Sequence, residues 1–152
     1  VRGGEAFDML QAMNTGHEGS LSTLHANTPR DAMARLETMV MMAGLDLPTK
    51  AIREQVASAL DVVVHLSRLR DGTRRVTEIA EINGMEGETI TMSTIYKFDY
   101  DAGMDASGRY IGETRPTGIR PMFSDELRQM GIQLPEEMIR AAADPMAHLG
   151  IK

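Results

Sequence analysis

Two histidines eight residues apart, His17 and His25, are the side chains of this sequence best suited to chemistry. They stand in Thr15-Gly16-His17-Glu18-Gly19-Ser20-Leu21-Ser22-Thr23-Leu24-His25-Ala26-Asn27, the first in a Gly-flanked loop and the second ending a short strand-like run. An imidazole can donate a hydrogen bond to a phosphoryl oxygen, carry a proton, or ligate a metal. The metal reading is weak, because zinc asks for three or four ligands at short local spacing and only Glu18 stands near enough to join the pair. A serine hydrolase is weaker still, since Gly19-Ser20 lacks G-x-S-x-G. By spacing alone, the commoner outcome leaves His25 bonded to a carbonyl and His17 facing solvent. Arg2, in Val1-Arg2-Gly3-Gly4-Glu5-Ala6, is a third candidate, because a guanidinium there can pair with carboxylates. Glu5 suits the first turn of a helix without any function. Ser22 and Thr23 can serve a phosphate or merely a strand edge.

The elements that must position these groups are legible from periodicity. Glu5 to Met13 sets Ala6, Phe7, Leu10 and Met13 at helical spacing, and Asn14-Thr15-Gly16 breaks it. Ser20 to His25 reads as a short buried strand. Thr28-Pro29-Arg30-Asp31 is a helix start, with Thr as N-cap, Pro at the first position and an acid three residues after the cap. Met33, Leu36, Met39, Val40 and Ala43 then share a face until Gly44 stops the helix. Pro48 opens another, with Ile52, Val56, Ala59 and Leu60 as its apolar stripe. Val62 to Leu69 is strand-like, and Asp71-Gly72 signals a two-residue hairpin whose central residues both need positive φ. Val76 to Ile82 returns, Gly84 to Gly87 turns, and Thr89 to Tyr96 completes an antiparallel meander over 62–96. His65, between Val64 and Leu66, reads as structural, and His148 as solvated. From Asp99 to Pro121 the chain is rich in Gly and Pro, which predicts an irregular arm with a short hairpin at Arg109-Tyr110-Ile111. Ser124 to Met130, capped by Ser124 with Leu127 inward, and Pro135 to Ala143 read as closing helices.

Composition narrows the function. The 152 residues carry a net charge of −6, which argues against sequence-independent nucleic-acid binding. Zero Cys removes disulfides, thiolate zinc sites and cysteine nucleophiles. The longest apolar runs fall far below the roughly 18 residues of a membrane span. Thirteen Met at helical spacing suit adaptable core filling rather than a thioether metal site.

The stretch at 15–27 and the Val1-Arg2-Gly3-Gly4 segment resemble the His box, and the segment directly after the Walker B strand, of the secretion and pilus-assembly ATPases. The spelling is most similar to the CpaF-type ATPases of tight-adherence (Flp) pili, relatives of type II and type IV secretion motors. The resemblance runs from Val1 through about Tyr96, more loosely through Gly118-Ile119-Arg120-Pro121, and is most specific from Glu5 to Glu37. It implies an α/β fold: the C-terminal part of a RecA-like P-loop ATPase domain, then an antiparallel meander and short C-terminal helices. Residues 1–98 would be the C-terminal half of the motor domain, and 99–152 an irregular arm with small helices.

What the resemblance implies about the site is specific. His25, at a strand end, would approach the γ-phosphate or attacking water and sense it. His17, before the strand, would meet a neighbouring subunit or loop. Arg2 would hold the catalytic Glu, which in the family immediately precedes the Val-Arg-Gly-Gly equivalent. None of Lys50, Lys97 and Lys152 follows a Gly, so G-x-x-x-x-G-K-[ST] does not occur. ATP and Mg are therefore expected in the full-length protein and not bound by this stretch alone. A hexamer is implied, with inner-membrane platform proteins as partners, no nucleic acid, and a cytoplasmic place at the inner face of the bacterial inner membrane. The alternative is a non-enzymatic docking domain that keeps the fold. Ser20–His25 is expected to lie buried beside parallel neighbours in a complete motor domain. In this chain its edge must be exposed, covered by the 99–121 arm, or paired with a second copy, and self-association is the expected outcome.

Overall fold

Thr28 caps a helix as its residue type demands, its Oγ1 accepting the Asp31 amide at 3.0 Å while Pro29 occupies the first turn. The computed structural model describes residues 1–17 and 19–140. Within them three helices come first: α1 (Glu5–Asn14), α2 (Pro29–Met42) and α3 (Thr49–Ala59). A sheet in the order β1-β2-β3-β4 follows, with β1 at Val62–Arg68, β2 at Arg74–Glu86, β3 at Thr89–Phe98 and β4 at Thr114–Pro116. One short helix, α4 (Ser124–Gln129), comes after it. The class is α/β with an antiparallel four-stranded sheet, as expected. The chain divides into two compact units, one of Val1–Val63 with Ile82–Met92 and the other of Val64–Glu81 with the chain from Ser93 onward.

In the first unit the helical stripes meet as their spacing dictates. Leu10, Leu36, Val40, Ile52 and Val56 are almost completely buried, and each such side chain contributes about 1.5–3 kcal/mol by leaving water. Polar clips fix the helices around this core. Asn14 Nδ2 donates to the Gln55 carbonyl and Oε1, and Ser58 Oγ donates to Asn14 Oδ1, joining α1 to α3. Arg53 grips Glu37 with two bonds of 2.9 and 3.2 Å, and its third nitrogen reaches the Glu88 carbonyl. That guanidinium ties α2, α3 and the β2–β3 turn together.

The expected buried strand at Ser20–His25 is not formed. The segment runs without helix or strand pairing, Leu21 is 98% exposed, and only Leu24 and Ala26 pack on the core. Among the described residues no strand lies beside it, so water solvates its backbone instead of a ladder.

The second unit is organised by one carboxylate. The loop after β1 is not a two-residue turn: Gly72 alone has positive φ (83°), and Asp71 does not. Gly72 N–H returns to the Leu69 carbonyl and Leu69 N–H to Thr73, which makes a three-residue loop closed by a left-handed glycine. This frees the Asp71 side chain, 1% exposed, to work elsewhere. Its Oδ1 accepts Thr73 N–H and Oγ1, and its Oδ2 accepts Tyr110 N–H at 2.9 Å. Arg75 completes the latch by donating to the Gly112 and Tyr110 carbonyls and lying over Phe98. Phe98, Tyr100 and Tyr110 pack edge to face beside it. Gly112 has no alternative, since a Cβ there would sit 1.9 Å from the Asp99 carbonyl oxygen.

The arm is therefore more ordered than its composition predicts. Met104 bridges Tyr110 as a short hairpin, and β4 adds to β3 with Lys97 opposite Arg115. Gly84 belongs to β2 rather than to a turn, which is confined to Gly87-Glu88. Ser124 does not cap α4: it is buried as the first helical residue, donating to the Pro121 carbonyl. The start of α4 is held instead by Glu81, whose carboxylate accepts the Met122 and Phe123 amides. Among the described residues beyond Pro135 only a 3₁₀ turn, Glu136–Met138, is formed, and residues 141–143 of the expected Pro135–Ala143 helix, like His148, lie outside the described residues. His65 is structural, its Nδ1 within 3.3 Å of Thr77 Oγ1 and Ser67 Oγ.

The Asp71 latch should make stability pH-dependent. The Thr73 hydroxyl and amide, the Tyr110 amide and Arg75 lower its pKa from 3.8 to about 2. A depressed carboxylate pKa contributes stability that is present above the unfolded value and lost as pH falls through the folded one. Thermal melts of the wild type should thus lose midpoint between about pH 5 and 2. Asp71→Asn should flatten that loss and speed hydrogen exchange at Tyr110 N–H. An unchanged pH profile in the variant would remove Asp71 from the latch.

Candidate functional site

The segment before α1 is fixed by a side chain reaching back. Glu5 Oε1 accepts the Arg2 amide at 2.8 Å, and that amide, then those of Glu5 itself and Gly3, hold its carboxyl below the ordinary range. The nitrogen of Val1 donates to the Thr23 carbonyl at 2.8 Å, which lays this segment against the run leading to His25. Arg2 is thereby brought beside the residues that follow His25.

The shared feature is a cleft of about 480 Å³, lined by Arg2, Ala26, Asn27, Asp31, Arg35 and Met39 among others. Of the three predicted site residues only Arg2 lines it; His25 does not, although the two residues that follow it, Ala26 and Asn27, do. His17 is not on the cleft. It lies in the loop between Gly16 and Gly19, both at positive φ, with its carbonyl accepting Ser20 Oγ at 2.6 Å. Both imidazoles are exposed, and among the described residues neither has a protein partner. The reading of His25 as bonded to a carbonyl is therefore not what the structure shows.

The other polar lining residues, Asn27, Asp31, Arg35 and Thr38, are not site candidates in the sequence reading. The available signal was the i, i+4 spacing of Asp31 and Arg35 on the polar face of α2. Arg35 and Arg2 make no ion pair among the described residues.

These residues fit one edge of a phosphate and no more. Two guanidiniums and an amide can take oxyanion bonds, but the sequence contains no G-x-x-x-x-G-K-[ST], and among the described residues no group of three His, Cys, Asp or Glu could hold a metal ion. Among them, too, no helix is long and apolar enough to cross a membrane.

The matched residues span both the cleft and the whole meander at 62–96: the model of the type II/IV secretion system protein family covers residues 1–111, and the chain belongs to that family. It is similar to the conjugal transfer protein TrbB of Rhizobium radiobacter, 39% identical over 84 residues, covering 55% of this chain and 24% of that protein. It is also similar to the type IV secretion system protein PtlH of Bordetella pertussis, 40% identical over 89 residues, covering 56% of this chain and 26% of that protein. Among solved structures, the VirB11 ATPase from the Brucella suis type IV secretion system matches with 37% identity and a TM-score of 0.49, covering 52% of this chain and 25% of that one. The chain spans about a quarter of the length of these relatives.

The cleft depends on how α2 begins. Thr28→Ala should cost about 1 kcal/mol of stability through the lost cap, measured by urea denaturation, and should broaden the amide signals of Asn27 and Asp31. A variant with unchanged stability would show that Pro29 alone sets the helix start.

Proposed function

We propose that this chain is the C-terminal region of a motor ATPase of the CpaF type, which couples ATP hydrolysis to pilin assembly or protein export at the inner membrane. The observation that supports it most is the convergence of Arg2 and the Ala26-Asn27 step after His25 on one cleft within the matched region. In this reading residues 1–98 belong to the motor core and 99–152 are its appended arm. His25 contributes a hydrogen-bond donor to a nucleotide site completed by residues outside this chain. His17, on its glycine-flanked loop, faces a neighbouring subunit. Arg2 orients the catalytic acid. The assembled protein is a hexamer that uses ATP and Mg and meets membrane platform proteins from the cytoplasmic side. The Ser20–His25 segment, unpaired here, takes its place beside a neighbouring strand in the complete domain, or pairs with a second copy. A docking domain without turnover is the second reading, and the exposed Met41, Met42, Leu45 and Leu47 favour it.

This chain alone should turn over no ATP and bind no nucleotide tightly, for want of a loop to hold phosphates. Saturable micromolar binding with one-to-one stoichiometry in calorimetry would contradict that. In a protein extended to include the phosphate loop, phosphate release separates the two readings, because a docking domain releases none. There His25→Ala should lower the turnover number at least tenfold, about 1.4 kcal/mol, while nucleotide affinity changes little. Lower affinity at an unchanged turnover number would assign His25 to binding instead.

A further inference from the structure

Two clefts of the described surface are lined by arginines, and their charge balance differs. In the second unit, a depression of about 520 Å³ is lined by Arg120, Arg128 and Arg140. All three already meet acids: Arg120 and Arg128 share Asp125, and Arg140 pairs with Glu136 at 3.1 Å. The cleft at the start of α2 is different. Arg2 and Arg35 have no acid partner among the described residues, and the single lining carboxylate, Asp31, makes no ion pair there either. Two guanidiniums against one carboxylate leave a net positive site on a chain whose total charge is −6.

Met39, 2% exposed, lines the cleft together with Ala34 and Met42, which are exposed, so the site is open to solvent. Asn27 adds an amide donor. Arg2 comes from the segment before α1 and Arg35 from α2, so the two forks reach the same space from different elements. A carboxylate offers two oxygens and satisfies one fork. A tetrahedral phosphate offers three free oxygens and up to two charges, and can bridge both.

We propose that this cleft binds a phosphate-class oxyanion, with Arg35 as a binding residue alongside Arg2. The proposal rests on the nucleotide-site reading above and extends it to a residue on α2. The same chemistry fits a nucleotide phosphate or free phosphate.

The test uses this chain and ¹⁵N-resolved NMR, with inorganic pyrophosphate, ATP and adenosine as probes. Pyrophosphate and ATP should shift the Ala26, Asn27 and Arg35 amides saturably, with millimolar dissociation constants, and adenosine should shift none of them. Tighter binding of ATP than pyrophosphate assigns the site to nucleotide, and equal binding assigns it to free phosphate. Arg35→Gln should weaken pyrophosphate about tenfold with an unchanged far-ultraviolet dichroism spectrum. Arg30→Gln removes the same charge from the same helix outside the cleft, and should leave affinity within about twofold. Equal losses in the two variants would mean a diffuse surface attraction, and would overturn the proposal, as would the absence of a saturable shift. Failure of the extended protein to release phosphate would sink the motor reading and leave these titrations standing.

Discussion

The point where extended chain becomes helix α2 governs what the candidate site can present. Thr28 stands at φ −144° and ψ 163°, an extended residue whose hydroxyl holds the first turn, and Pro29 follows it into the core. Proline brings no N–H that would need a partner and a φ already suited to a helix. The pair forces the Ala26-Asn27 step to approach the helix end-on, with Asp31 and Arg35 one turn apart beside it. Every cleft group except Arg2 is placed by that local choice, and Arg2 is placed by Glu5 drawing its amide back toward α1. The tertiary core then has only to orient rigid pieces, which Leu36, Val40, Ile52 and Val56 do.

Where local chemistry decides, sequence reasoning was sufficient. The three helices, the cap at Thr28, the stop at Gly44 and the meander are all set by residues within a few positions of one another. The departures from local expectation share a cause. The Asp71-Gly72 dipeptide predicts a primed turn, yet Asp71 is held by Tyr110, thirty-nine residues on, in a loop one residue longer. The Gly and Pro content of the arm predicts an irregular chain. Its order comes from Arg75 and Phe98, which lie on strands already formed. Ser124 carried a capping residue's signature, but the amides at that helix end are satisfied by Glu81 from β2. No window of neighbouring residues contains these partners.

The Ser20–His25 segment shows the opposite limit. Its β-propensity is real, and a strand nevertheless requires a ladder. Among the described residues Val1 donates to its Thr23 carbonyl, and no strand ladder forms along the run. Leu21 then has nothing to pack on. Propensity described what the segment can do beside a neighbour, and the structure shows what it does without one.

The same reasoning bears on the charged groups. A net charge of −6 argues against counterion-driven attachment to nucleic acid, but it does not set the potential inside one cleft, which depends on the nearest few charges. Arg120 and Arg128 illustrate it, since one shared aspartate absorbs much of what two guanidiniums would otherwise offer to a ligand. At the start of α2 neither Arg2 nor Arg35 makes an ion pair among the described residues, although Asp31 lines the same cleft. An exposed, unpaired guanidinium is well solvated and costs the fold little, so folding gives no reason to draw both into the same cleft. Their convergence beside the residues following His25 is a feature that stability does not require and that anion recognition does.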